Sequence, residues 1–521
     1  MKRKHFYKYS IALVMITVVT IIACEKRLNK INPSYPDLKD YFKTSEELLR
    51  GTNSIYSIYH AGQLAAREWF FLEDLRSDDV AAGGGQLEVP RAQILNGNTT
   101  PDNAVMGSVW NGWYTVIHRA NTVIANAPNV TDNTALRDRN VAEAKFFRGL
   151  AYFELVYKWG PVPMYLKPVT EATQFQPRAP EAEVYVQIEK DLKEAAAGLP
   201  PSYGDDDRGR ATKGAANAML GRALLQKGDY DGAKKALLEV VNSGEYTLNI
   251  PFEDNYLEEK EFNRESIFEA VFFQNIPNNF NWGGTGDDPS ASQGTVRNQE
   301  YSPVAWRNLI PSNRFLNEFE NTATGAAKTD PRFVMSVYQT GDTYNNGNSV
   351  LTDAAQNGNS SVVNGVTKKI SWRKFMIIYK HPVADRMGAG NNQRIVRYAE
   401  VLLMLAECEN ELGNPGAAVD YLNLIRDRQG VQMPHYPTSQ YPAGTKDEIT
   451  KAIMHEKTVE LGGEEIRNRD ILRWRKKGYY TTDPLPYFRA NRDELLPIPQ
   501  AEIDNNPELA GKGISKQNKG Y

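Results

Sequence analysis

The feature that most limits what this chain can fold into is a pattern that occurs twice. Residues 218–238 and 403–423 align at a constant offset, pairing Leu220 with Leu405, Gly221 with Ala406, Ala223 with Cys408, Gly228 with Gly413, Ala233 with Ala418 and Leu237 with Leu422. Each copy reads as a helix, a glycine-containing turn and a second helix, because apolar residues recur at helical spacing on both sides of the glycine. The small residues Gly221 and Ala406 let the helices of a pair approach closely. A pair of this kind cannot bury its apolar face alone. The copies are not consecutive, so a plain solenoid is excluded and something else must cover them.

The pattern is that of a tetratricopeptide-like unit. Helical spacing also marks Leu48, Ile55, Ile58 and Tyr59, then Trp110, Trp113, Tyr114, Ile117 and Val123. A further stripe of Phe146, Leu150, Phe153 and Tyr157 stops at Trp159-Gly160-Pro161, and Tyr185, Ile188 and Leu192 begin another helix. Helices return over 397–429 and 447–477. The expected fold class is mainly α with minor β-hairpins. Two stretches break the pattern. Residues 77–100 hold Gly83-Gly84-Gly85, Pro90 and Asn96-Gly97-Asn98, which is loop chemistry. Residues 275–394 are rich in Asn, Gly, Ser and Asp. Within them Asn346-Gly347, Asn357-Gly358 and Asn364-Gly365 are type I′ turn signals, and the flanking valines of the last predict a short hairpin. A loop-rich insertion this long inside an ordered protein is usually functional or disordered.

The N-terminus has the order of a secretory leader. Lys2, Arg3, Lys4 and Lys8 precede an apolar run over 11–23 that closes on Ile21-Ile22-Ala23-Cys24. The run is shorter than the roughly 20 residues of a membrane span. Its end resembles a bacterial lipobox, with cleavage before Cys24 and acylation of the Cys24 thiol. The expected organisation is a signal peptide over 1–23, a tether over 24–40 containing Pro33 and Pro36, and a body over 41–521. Losing the leader, which has four basic residues and no acid, takes the net charge from −3 to −7. No half is strongly basic, so nucleic acid is not an expected partner. Cys24 and Cys408 are the only cysteines. With Cys24 acylated, Cys408 has no disulfide partner and stability must come from packing.

Five segments agree with one family. Arg397-Tyr398-Ala399-Glu400-Val401-Leu402-Leu403-Met404-Leu405-Ala406-Glu407 resembles the signature helix of the SusD/RagB family. The run from Ala142 to Phe153 leading into Gly160-Pro161-Val162-Pro163 is similar to another of its motifs, as is Ala211-Thr212-Lys213-Gly214-Ala215-Ala216 leading to Gly228-Asp229-Tyr230. So are 456–474, ending Asp470-Ile471-Leu472-Arg473-Trp474, and Leu495-Leu496-Pro497-Ile498-Pro499-Gln500 with Glu502-Ile503. The resemblance implies a SusD-like fold over 41–521: tetratricopeptide-like helix pairs near 211–243 and 397–429 form a scaffold, with the loop-rich part 275–394 laid on it to bind ligand. It implies an outer-membrane lipoprotein on the exterior face. Such a protein binds a nutrient, usually an oligosaccharide, and delivers it to a SusC-like TonB-dependent transporter, with no cofactor and no catalysis. Glu25-Lys26-Arg27 departs from the acidic run that often follows the acylated cysteine, so the exterior face rests on the resemblance.

Enzyme motifs are absent. His5, His60, His118, His381, His435 and His455 form no H-E-x-x-H pair, and there is no G-x-S-x-G elbow, Walker loop or Cys cluster. Asp205-Asp206-Asp207 lacks EF-hand spacing and reads as a solvated loop, so no metal is expected. Asp74, Asp78 and Asp79 are too common a pattern to mark a glycosidase pair. Sugar binding asks instead for exposed rings, because pyranose C–H faces stack on aromatics and hydroxyls need planar polar partners. Trp282, between Asn281 and Gly283, belongs to no amphipathic helix and is such a ring, or else a plug packing its loop. Trp306 is the second candidate platform, with Tyr301 nearby and Asn281, Arg297, Asn298 and Arg307 as polar contacts. The resemblance adds the early loop, which offers Asp78, Gln86, Arg91, Asn96 and Asn98 but no Trp, so a two-sided aromatic clamp lacks its second half. Trp110, Trp113, Trp159 and Trp474 sit on helical stripes and read as core. Polar loops also suit a peptide, so uptake of a non-glycan nutrient is the alternative; a surface glycosidase and a plain tetratricopeptide adaptor are weaker readings.

Overall fold

The computed structural model describes residues 41–521 except 172, 249, 275–278, 283–292, 323, 325–326 and 382–387. The expected leader, tether and Cys24 lie outside the described residues. Helices are α1 (Ser45–Tyr59), α2 (Glu68–Leu75), α3 (Val89–Leu95), α4 (Ala104–Asn126), α5 (Thr134–Trp159), α6 (Glu181–Gly198), α7 (Lys213–Lys227), α8 (Tyr230–Asn242), α9 (Arg297–Tyr301), α10 (Asn313–Glu318), α11 (Arg332–Ser336), α12 (Tyr398–Glu411), α13 (Pro415–Arg426), α14 (Lys446–Leu461), α15 (Arg467–Lys476) and α16 (Gln500–Asn505). Strands are short: β1 (Val80–Ala82), β2 (Val162–Pro163), β3 (Arg178–Ala179), β4 (Ser266–Ala270), β5 (Leu309–Pro311), β6 (Val337–Gln339), β7 (Thr343–Tyr344), β8 (Ser349–Val350), β9 (Ser361–Val363), β10 (Val366–Lys368), β11 (Ile370–Trp372) and β12 (Gln393–Arg397). They pair only two by two and antiparallel, as β1–β5, β2–β3, β4–β12, β6–β11, β7–β8 and β9–β10. The class is mainly α, as the periodicity predicts.

The two copies of the repeat are α7–α8 and α12–α13. Thr212 and Asp229 cap the first pair, their side chains accepting from the Ala215 and Gly232 amides. A Cβ on Gly221 would lie 2.5 Å from the Leu237 side chain, so the close approach read from the sequence is present. Ala406 and Cys408 are fully buried in the second pair. The copies cover one another: α8 packs on α12, while α6 packs on α7 and α14 on α12. Repeats distant in sequence are thus neighbours in space. Arg148 of α5 reaches Asp191 of α6 in a two-point ion pair at 2.8 and 2.7 Å, continuing the layer toward α4 and α1. Trp110, Trp113, Trp159 and Trp474 are core, as expected.

A buried ionic cluster joins the scaffold to the insertion. Arg397, the last residue of β12, donates to Glu265, Glu460 and Glu464 at 2.6–3.0 Å. Arg428 also meets Glu265 and Glu460, and Arg332 meets Asp330, Glu456 and Glu460. Burial by itself would raise the Glu460 pKa, but Arg428, Arg397 and Arg332 hold it far below the ordinary carboxylate range.

The two loop-rich stretches are partly ordered into elements. Residues 77–100, read as a loop, contain β1 and α3; Pro90 at the start of α3 suits a first turn whose amides have no partner anyway. The β9–β10 hairpin forms as predicted, with Asn364 at φ 50° and Gly365 at φ 77°. Asn346-Gly347 lies in the β7–β8 turn. Asn357-Gly358 makes no hairpin. Gly358 instead seats against Gly83, and the Asn359 amide donates to the Gly83 carbonyl at 2.6 Å. The Gly83 amide donates to Asn308 O at 2.8 Å, and a Cβ at Gly83 would clash with the Arg307 carbonyl. With the β1–β5 pairing of Val80 to Pro311 and Ala82 to Leu309, this seam docks the early stretch onto the insertion.

Candidate ligand-binding site

Trp282 and Trp306 meet at the surface. Their rings are near-parallel, 24° apart with centroids 6.1 Å apart, and they remain 44% and 37% exposed. A pyranose between two rings needs about 3.5–4.0 Å of carbon contact on each side. The pair is too close for that, so it forms one continuous aromatic surface and not a two-sided clamp.

The local chain explains why both rings face out. Phe280 is buried and meets Trp282 edge to face at 5.1 Å. Its ring and the Asn281 carbonyl lie against Gly62, where a Cβ would come within 3.1–3.3 Å of them. The α1–α2 connection therefore props up residues 280–282. The same connection holds the start of α9, since the Ala66 carbonyl accepts from Val296 N and Thr295 Oγ1. On the other side, Trp306 N donates to Gln299 O and Asn308 N to Glu300 O, folding 302–308 back onto α9. Arg307 between them adopts φ 53° and drives its guanidinium inward to Ser371 Oγ and the carbonyls of Asn357, Asn359 and Ile370. With Arg307 anchored inside, Trp306 is left outside.

Beneath the platform lies a charged layer. The Arg67 guanidinium sits 4.6 Å from the Trp282 centroid, a cation–π contact. It is tied to Glu300 at 2.8 Å, Glu68 at 3.2 Å and Glu88 at 3.4 Å. Arg91 donates to both Glu68 oxygens at 2.8 Å, pairs with Glu88, and lies over the Phe71 ring at 4.4 Å. Glu300 is fully buried and also accepts from Asn308 Nδ2. Glu88 is half-exposed.

Of the residues expected to touch ligand, Trp282, Trp306 and the part-buried Asn281 come together here. Others are placed elsewhere. Arg297 is buried on Glu465 and the Phe70 ring. Asn298 is buried, donating to Asn391 and accepting from the Ile377 amide. Tyr301 is buried with its hydroxyl donating to Asp74, and Arg307 is wholly interior. Asp78 is buried between Arg467, at 2.6 and 2.9 Å, and Arg314. Burial raises the pKa of its neighbours Asp74 and Asp79, the latter to about 6. Arg297, Asn298, Tyr301, Arg307 and Asp78 are therefore structural, because each already has its charge or hydrogen bonds satisfied by the protein. Arg91 lies beneath the surface, 3% exposed. Asn96 is exposed at the far end of α3, about 12 Å from Glu88 at 1.5 Å per residue. Sequence reading missed Arg67, Glu68, Glu88 and Glu300: Arg67, Glu68, Glu88 and Arg91 come from one stretch of chain, but the layer closes only through Glu300, 233 residues from Arg67.

The SusD family matches residues 264–521, and a family described as "Starch-binding associating with outer membrane" matches 39–225. SusD-like protein P2 of Formosa agariphila is 27% identical over 526 residues, covering 96% of this chain and 98% of its own. A laminarin-binding SusD-like protein superposes with TM-score 0.73 at 26% identity, over 92% of this chain and 100% of its own. Surface glycan-binding protein A of Bacteroides thetaiotaomicron, solved with laminarihexaose, superposes with TM-score 0.71 at 23% identity, over 91% and 99%. Together with the helix-pair scaffold and the insertion laid on it, these matches show that the chain belongs to the SusD/RagB family.

Proposed function

We propose that the protein is a cell-surface lipoprotein that captures an oligosaccharide on the Trp282–Trp306 surface and passes it to a SusC-like TonB-dependent transporter. The observation that carries this reading is a pair of large rings left more than a third exposed in a chain of this family. Leaving such surface in water is unfavourable, and the C–H face of a pyranose covers it without requiring any charge. Asn281 at its edge supplies planar donors and acceptors for hydroxyls. The work asked of the site is binding, with no bond made or broken. The laminarin-binding neighbours and the outer-membrane description of the N-terminal family support the reading.

The test is native electrophoresis through gels containing neutral and acidic polysaccharides, with a peptide mixture as competitor. At least one glycan should retard the protein, with an affinity in about the micromolar to millimolar range, roughly 4–8 kcal/mol. No retardation by any glycan, together with binding of the peptide mixture in a calorimetric titration, would replace the glycan by the peptide reading.

Anchoring belongs to the same proposal. Acyl chains on Cys24 would hold the body on a membrane, each buried methylene contributing about 0.8 kcal/mol. No helix among the described residues is long and apolar enough to cross a membrane. Wild-type protein extracted gently from membranes should carry a lipid mass and bring a barrel transporter with it. Cys24→Ala should appear in the soluble fraction without either. A Cys24→Ala form that stays on the membrane contradicts the anchor.

A further inference from the structure

The charge balance under the platform bears on which glycans can bind. It rests on the reading of Trp282 and Trp306 as the platform. Two arginines, Arg67 and Arg91, lie under the rings, two more, Arg297 and Arg307, are near them in sequence, and the protein engages all four. Arg67 is held by Glu68, Glu88 and Glu300, and Arg91 by Glu68 and Glu88. Arg297 points to Glu465 and Arg307 to interior carbonyls. Recognition of a uronate or sulfate calls for an outward guanidinium or ammonium whose N–H groups are free to form a charge-assisted pair. None of these four offers one. The layer of Arg67, Arg91, Glu68, Glu88 and Glu300 carries two positive and three negative charges. Its one substantially exposed charged group is the Glu88 carboxylate, half-exposed at the start of α3 and one guanidinium away from the Trp282 ring.

We infer that the site is built for an uncharged glycan and that Glu88 is its specificity-determining residue. The Glu88 carboxylate can accept hydrogen bonds from neutral hydroxyls and repels an anionic substituent brought to the same place. Val89, next in the chain, is itself 71% exposed. Repulsion of this kind acts over about 10 Å at 0.1 M salt and is screened as salt rises.

The experiment compares each neutral polysaccharide that retards the wild type with the same polymer after oxidation of its primary hydroxyls to carboxylates. Alginate and a sulfated dextran serve as independent acidic probes. In 20 mM salt, oxidation should weaken binding by at least tenfold. The gap should shrink to under threefold in 0.5 M salt and narrow likewise in folded Glu88→Gln, checked by its melting curve. An acidic polymer that binds as tightly as any neutral one, and loses binding in Trp306→Ala, overturns the inference while leaving glycan binding in place. A gap unchanged in Glu88→Gln removes Glu88 from the role. Retardation by no polymer of either class means the glycan reading itself has failed.

Discussion

Arg397→Met is expected to destabilise the protein by about 3–5 kcal/mol, the cost of leaving buried carboxylates without their partner. Arg397 donates to Glu265, Glu460 and Glu464 and to the Glu460 carbonyl, and all three carboxylates are buried. Methionine fills much of the space but neutralises nothing. Arg428 and Lys374 remain nearby, yet each already faces one or two of the same acids. The measurement is urea unfolding of the mature body, where the midpoint should fall with little change in slope. Lys235→Ala, which breaks an exposed pair with Asp231, is the control and should stay within about 0.5 kcal/mol. A loss below about 1 kcal/mol in Arg397→Met would mean that the remaining cations satisfy the cluster without it.

Trp306→Ala is expected to abolish measurable glycan binding while leaving the fold intact. A hot-spot ring commonly carries about 2 kcal/mol, roughly a thirtyfold loss, which pushes a weak ligand beyond detection. Trp306 is 37% exposed, and its backbone contacts with Gln299 do not depend on its ring. Trp282→Ala should lose binding too, but its ring also packs on Phe280 and Arg67, so a lower melting temperature should accompany the loss. Calorimetry on both folded variants with the glycan that retards the wild type decides the matter. Wild-type affinity in both would move the ligand off this surface.

Helices were legible because burial on one face writes a 3.6-residue period into the chain, as in the Phe146, Leu150, Phe153 and Tyr157 stripe. The β9–β10 hairpin was legible because Asn364-Gly365 meets a demand for positive φ. The early stretch was not, since Gly83-Gly84-Gly85 and Pro90 are turn residues used here for a close seam and a helix start. The site was half legible. Two tryptophans in helix-free sequence could be found from composition. Arg297-Asn298-Gln299-Glu300-Tyr301 reads as surface by polarity, yet it is buried throughout, because Glu465, Asn391, Asp74 and Arg67 come from remote parts of the chain to satisfy it. No local pattern encodes such pairings.

The seam that joins β1 to β5 has a consequence for how the protein comes into being. Arg67 waits 233 residues for Glu300, and Asp78 waits 389 residues for Arg467. The entropy of closing loops of that length is lost before the contacts they bring offset it. The fragment 264–521 would carry both tryptophans without the arginine beneath them, and 41–263 would carry the arginine without a ring to support. The Trp282–Trp306 surface therefore cannot be excised as a module or grafted as a loop; it exists only when the early stretch and the insertion have found each other.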